Sequence, residues 1–271
     1  MIRKPLLLCC FFLTSLISNV FAADKLEVSL AFWGDVSSMA SLGVVQGIDE
    51  ANLQGEFLGQ SYRIKNHDVA NLAHVSNVAA IFAVADEAVL RKLAKLNPDT
   101  PIFNLSDENN SLRENCIANL FHTIPSQKMR DDAVAQWIQK NPDSKASAAG
   151  WHKDFKKYAA SQVNKRFSDL HEKAMDDSGY AGWIAMKAVA DAVVRTSSTD
   201  GVKLMTFLKN DLVIDGAKGL KMNFRSTGQL RQMLLLVDKG DIVGEAPVRG
   251  VVDTTDLETL GILECTPCPE N

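Results

Sequence analysis

Several signatures that would assign a chemistry are missing from this chain of 271 residues. It has no G-x-S-x-G, no P-loop and no G-x-G-x-x-G, so hydrolase, nucleotide and dinucleotide readings have no support. It also lacks any Lys/Arg cluster, and its formal charge is −4, which argues against nucleic acid or anionic lipid as a partner. The five histidines (His67, His74, His122, His152, His171) show no ligand spacing with carboxylates or cysteines. Neither a metal nor a cofactor is therefore expected. Low-complexity tracts and internal repeats are absent too. Nothing here points to an enzyme.

Long apolar runs are confined to the start. Arg3 and Lys4 precede a mostly apolar Leu6 to Phe21, and Val20-Phe21-Ala22 places small residues where a signal peptidase reads. The run is shorter than a membrane span and is broken by Thr14, Ser15, Ser18 and Asn19. Residues 1–22 are expected to be a signal peptide cleaved after Ala22, giving a periplasmic protein with no membrane span after cleavage. A retained anchor and a lipoprotein through Cys9 or Cys10 are the weaker readings. Losing Arg3 and Lys4 takes the formal charge to −6.

Cysteine is scarce in the mature chain: Cys116, Cys265 and Cys268. In an oxidising compartment they should not all stay reduced. Three pairings stay open: Cys116 with either tail cysteine, a local Cys265–Cys268 bond, or a redox or metal C-x-x-C. The last fits poorly, since catalytic pairs usually open a helix and this one lies in a Pro-containing tail.

What is present is order. Leu26 to Trp33 is an apolar strand. Gly34, Asp35, Ser37 and Ser38 are turn and cap residues, and a helix follows with Leu42, Val44, Val45, Ile48 and Ala51 inward. Further strands are expected at 62–68, 77–85 and 101–105, with helices capped by Asp86 and Ser126. Residues 106–115 read as a polar loop and 141–150 as a linker. Trp151, His152, Lys153, Lys156 and Lys157 form a basic aromatic patch, a solvated face or a docking site. Helices at 180–195 and 202–209 precede a β-rich tail, in which Leu220, Met222 and Phe224 alternate and Asp238 to Asp241 turn one strand into the next. The fold class is α/β: a parallel-sheet lobe with an antiparallel C-terminal tail.

QGIDEAN after the first strand, NLFHTIPSQKMRDDAVAQWI, DDSGYAGWIAMKAVADAV and GLKMNFRSTGQLRQMLLLVDKG resemble, in this order, the type I periplasmic binding proteins of branched-chain amino acid-type ABC transporters. The phrases around His122-Thr123, Met175-Asp176-Asp177 and Gly228 to Gln232 look closest to a subgroup associated with PQQ-dependent alcohol dehydrogenase systems. The resemblance implies a solute-binding protein whose partners are a small solute and an ABC permease or a periplasmic dehydrogenase. An accessory protein that has lost its solute and docks such a partner is the alternative.

Two departures from that pattern shape the expectations. Residues 141–165 are too short for a full second lobe, which implies a lobe from 23–140 plus 166–212, a reduced second lobe, and a C-terminal segment 213–271. The expected rim at the strand ends carries Trp33, Asp35, His67, Asp86, Asn104 and Ser106 as ligand-binding candidates. Asp86 and Glu87 sit where family receptors cradle an amino-acid carboxylate, and like charge there is unfavourable.

Overall fold

Leu26 to Trp33 forms β1, and the helix α1 (Met39–Leu58) follows after one turn. Ser38 accepts a hydrogen bond from the Ser41 amide and caps α1, while Gly59 closes it in the left-handed region at φ 67°. The computed structural model describes residues 25–265. The expected signal peptide with its cleavage after Ala22, and Cys268, lie outside the described residues.

The chain continues through β2 (Gln60–His67), β3 (Ala80–Ala83), α2 (Glu87–Leu96), β4 (Ile102–Asn104), the single turn α3 (Ser111–Glu114) and β5 (Leu120–His122). These strands make one parallel sheet in the order β2-β1-β3-β4-β5. Strands buried on both faces read as continuous apolar runs, as AIFA does in β3. One face packs Leu30, Phe32, Phe82 and Phe103 under α1 and the long helix α6 (Asp177–Thr196). The other packs Ala31, Trp33, Ile81 and Ile102 under α2.

Beyond β5 come α4 (Gln127–Lys140), β6 (Ser147–Ala149) and α5 (Ala160–His171), then α6, α7 (Gly201–Asn210), the short pair β7 (Ile214–Asp215) and β8 (Lys221–Met222), and the hairpin β9 (Leu234–Asp238) and β10 (Asp241–Ala246). A second, antiparallel sheet runs β10-β9-β6, with α4 on one side. The polar stretch 141–150 is thus not bare linker. Ser147 to Ala149 pair with Val237 to Leu235, and the backbone supplies what the small side chains do not advertise. The helix expected from Tyr180 begins three residues earlier, because Asp176 accepts from the Gly179 amide. The alternation expected at 220–224 yields only the two-residue β8.

α1 and α6 meet backbone to backbone. A Cβ on Gly43 would lie 1.9 Å from the Gly179 carbonyl oxygen, and one on Gly182 would lie 2.0 Å from that of Ala40. Among the described residues no helix is long and apolar enough to cross a membrane.

Candidate functional site

In a sheet of this order the topological switch lies between β1 and β3, and ligands of open α/β sheets gather beyond the carboxyl ends there. The switch itself is shut. Gly34, at φ 140°, approaches Val84 so closely that a Cβ would stand 2.9 Å from its side chain and carbonyl. The six rim candidates consequently fall into two groups.

Trp33, Asp35 and His67 form the first. Trp33 is fully buried and stacks on the His67 ring, centroids 4.2 Å apart and planes 13° from parallel. Its indole Nε1 has no hydrogen-bond partner in the structure. Burial, then the charge of Lys65, lowers the His67 pKa and favours the neutral ring. The Asp35 carboxylate accepts from the Ser37 amide and hydroxyl, both at 2.8 Å, and these bonds hold it below the usual carboxylate range. Asp35 and His67 line an open hollow of ≈ 450 Å³ with Val36, Asp68 and Val69.

Asp86, Asn104 and Ser106 form the second group, and most of its polar atoms are engaged within the protein. Asp86 caps α2 through the Val89 amide at 2.9 Å. Buried Asn104 accepts from the amides of Ser106 and Asp107, and its Nδ2 donates to the Asp107 carbonyl (2.7 Å) and to His122 Nδ1 (3.0 Å). Ser106 Oγ accepts from the Ala85 amide at 3.2 Å. Neighbouring Glu87 pairs with Arg91 and accepts from Asn109; the Ser111 hydroxyl, before Arg91, lowers its pKa. Hydroxyl and amide here serve each other.

Behind this group runs a buried polar array for which the sequence offered no motif. Arg113 donates to Gln229 Oε1 and to the carbonyls of Asp107, Asn109 and Ile124; burial brings its pKa down to about 9. Burial, then Arg113, keeps His122 neutral. Lys218 donates to the carbonyls of Gly150 and Met233 (2.8 Å each) and to Gln232 Oε1 (2.7 Å), with its Nζ 4.4 Å from the Tyr180 ring centroid. Gln232 in turn donates to the Thr123 carbonyl. Arg130 bridges Glu108 and Asp177 and donates to the Ala148 carbonyl. Each partner set spans different segments, so only the fold assembles it.

Cys116 and Cys265 are disulfide-bonded, their Cα atoms 5.5 Å apart. A cavity of ≈ 710 Å³ opens between residues 154–158, the end of α4 and β10.

No family model matches the chain, and no curated protein matches it. Solved structures do: the architecture is the α/β fold of type I periplasmic binding proteins. A branched-chain amino acid ABC transporter periplasmic ligand-binding protein from Burkholderia xenovorans aligns with TM-score 0.68 and 13% identity, over 80% of this chain and 95% of its own. An ABC transporter substrate-binding protein from Sphaerobacter thermophilus gives 0.68 and 11%, over 87% and 100%. A branched-chain amino acid transporter substrate-binding protein from Streptococcus pneumoniae, solved with isoleucine, gives 0.62 and 10%, over 82% and 98%. At such identities the likeness is one of fold.

Proposed function

We propose that this chain is a non-enzymatic, periplasmic solute-binding protein, the binding component of a transport or oxidation system. The observation that carries this reading is the two-sheet layout. The chain passes between the sheets three times, at 123–126, 150–159 and 231–233, and a cavity of ≈ 710 Å³ opens beside the second passage. The three solved structures named above are described as transport proteins, which supports the same class. The small antiparallel sheet with α4 is the reduced second lobe in this reading. The sequence phrases around His122, Asp176 and Gln229 support a link to a PQQ-dependent alcohol oxidation system. Mass spectrometry of the extract from gently denatured, freshly isolated protein tests the proposal. A stoichiometric small molecule is expected; an empty extract overturns it.

One observation favours a second reading, docking without a solute. The hydroxyl and amide that family receptors would offer a carboxylate are bonded to each other here, at Ser106 and Ala85. Calorimetry with leucine, isoleucine and valine should show no binding at that rim. Micromolar affinity would exclude this reading and show that the cradle opens. Co-purification of a periplasmic dehydrogenase or an ABC permease with a tagged, solute-free chain would support it.

A further inference from the structure

The cavity beside residues 154–158 differs in charge from the rest of the molecule. The chain is net acidic at −4, yet this groove is lined by Lys140, Lys156, Lys157 and Arg249 against only Asp154 and Glu245. Both carboxylates are already engaged: Glu245 with Lys157 at 2.5 Å, and Asp154 with Lys153. Lys140 donates to the Arg249 carbonyl at 3.2 Å. The Lys156 ammonium and the Arg249 guanidinium have neither hydrogen bond nor ion pair among the described residues. The Lys157–Glu245 pair ties the two walls together. Lys156, which also acts electrostatically on Asp154, and Arg249 stand exposed at the groove, so its lining carries more positive than negative side chains and attracts an anion modestly.

The walls are also shaped for an apolar body. Tyr158 is 62% exposed and sits in the left-handed region at φ 54°, a conformation unfavourable for a bulky residue. Its ring rests against the Gly219 backbone, where a Cβ would meet it at 2.4 Å. Across the groove Trp137 rests against Gly244 in the same way, a Cβ there standing 2.6 Å from the indole. Leu220 and Met233 complete the apolar lining. Two aromatic rings are thus seated on glycines at a cavity rimmed by unpaired cations.

We infer that this groove, and not the strand-end rim, is the solute site, and that it takes an organic anion: a carboxylate on an aromatic or aliphatic body, set between Lys156 and Arg249 with its apolar part against Tyr158 and Trp137. The inference rests on the solute-binding reading above and supplies its substrate class. Benzoate and benzyl alcohol share a ring and differ in charge, and hexanoate adds an aliphatic body. Calorimetry on the mature protein should show benzoate and hexanoate binding and benzyl alcohol binding more weakly. The double variant Lys156→Gln/Arg249→Gln should bind benzoate about tenfold more weakly, as expected for two exposed charge contacts, with Lys95→Gln as the unaffected control. Tyr158→Ala should weaken benzoate and benzyl alcohol alike, and circular dichroism checks that each variant is folded. Equal binding of acid and alcohol, or undiminished benzoate binding in the double variant, overturns the inference while leaving a solute-binding protein. If none of the three probes binds, the inference falls; the solute-binding reading falls with it only where the extract of the native protein is also empty.

Discussion

Lys218 shows how much of this protein is decided by single buried side chains. Burial brings its pKa from 10.5 down to about 7. Between those values the unfolded chain holds a proton that the folded chain lacks, so this group makes stability rise with pH from about 7 to about 10.5. Urea unfolding at stepped pH should show that rise in the parent protein and not in Lys218→Met. Asn104 is the second such residue. Asn104→Ala strips the amides of Ser106 and Asp107 of their acceptor and should cost about 1–3 kcal/mol, measured by the same titration. The sequence marks Asn104 as a rim residue and says nothing of this duty. A strand-end Asn reads alike whether it faces a solute or binds its own loop, and only the position of Asp107 and His122 tells them apart. Lys218 was less legible still, because in Gly-Ala-Lys-Gly-Leu-Lys nothing local separates it from Lys221, whose strand position is exposed.

At the scale of elements, local chemistry was legible wherever it was self-contained. Ser38, Asp86 and Ser126 cap helices because the cap needs only the next three amides. The hairpin at Asp238 to Asp241 was readable for the same reason. β6 was not, since its strand character comes from pairing with β9, some ninety positions away, and Ser-Ala-Ala has no β-branched or aromatic residue to announce it. The α1–α6 contact was likewise hidden, because glycines in a helix look like a weakness until the partner backbone is seen. Gly43→Ala and Gly182→Ala should each destabilise by roughly 1–3 kcal/mol by forcing the helices apart, despite the better helix propensity of alanine. Thermal unfolding decides it; a raised Tm for either variant would show that the helices separate freely.

For the whole molecule, a parallel sheet was within reach of the alternating pattern, whereas its strand order and its fifth strand, β5, were not. The closure of the chain by Cys116 and a tail cysteine was among the pairings the sequence offered, and it is the one found. The Cys116–Cys265 bond spans 149 residues, from the loop before β5 to the tail. Tethers of that span restrict the unfolded chain strongly, and Cys265→Ser should lower stability by about 2–4 kcal/mol. Denaturant titration of the parent protein with and without reductant should give the same loss. Peptide mapping without reductant should recover Cys116 joined to Cys265; a crosslink confined to the two tail cysteines would remove the basis for this expectation.

The passages between the two sheets carry a mechanical consequence. Lys218 fastens Gly150 to Met233, Gln232 fastens that strap to Thr123, and Arg130 fastens Ala148 to Asp177. Straps riveted to one another transmit torque instead of yielding to it, so the two sheets should turn as one body. The small-angle scattering profile is then expected to stay the same when a solute occupies the protein. A downstream partner would register occupancy by touch, through the altered charge and contour of an open surface, and solute would come and go at the speed of diffusion and desolvation with no door to wait for.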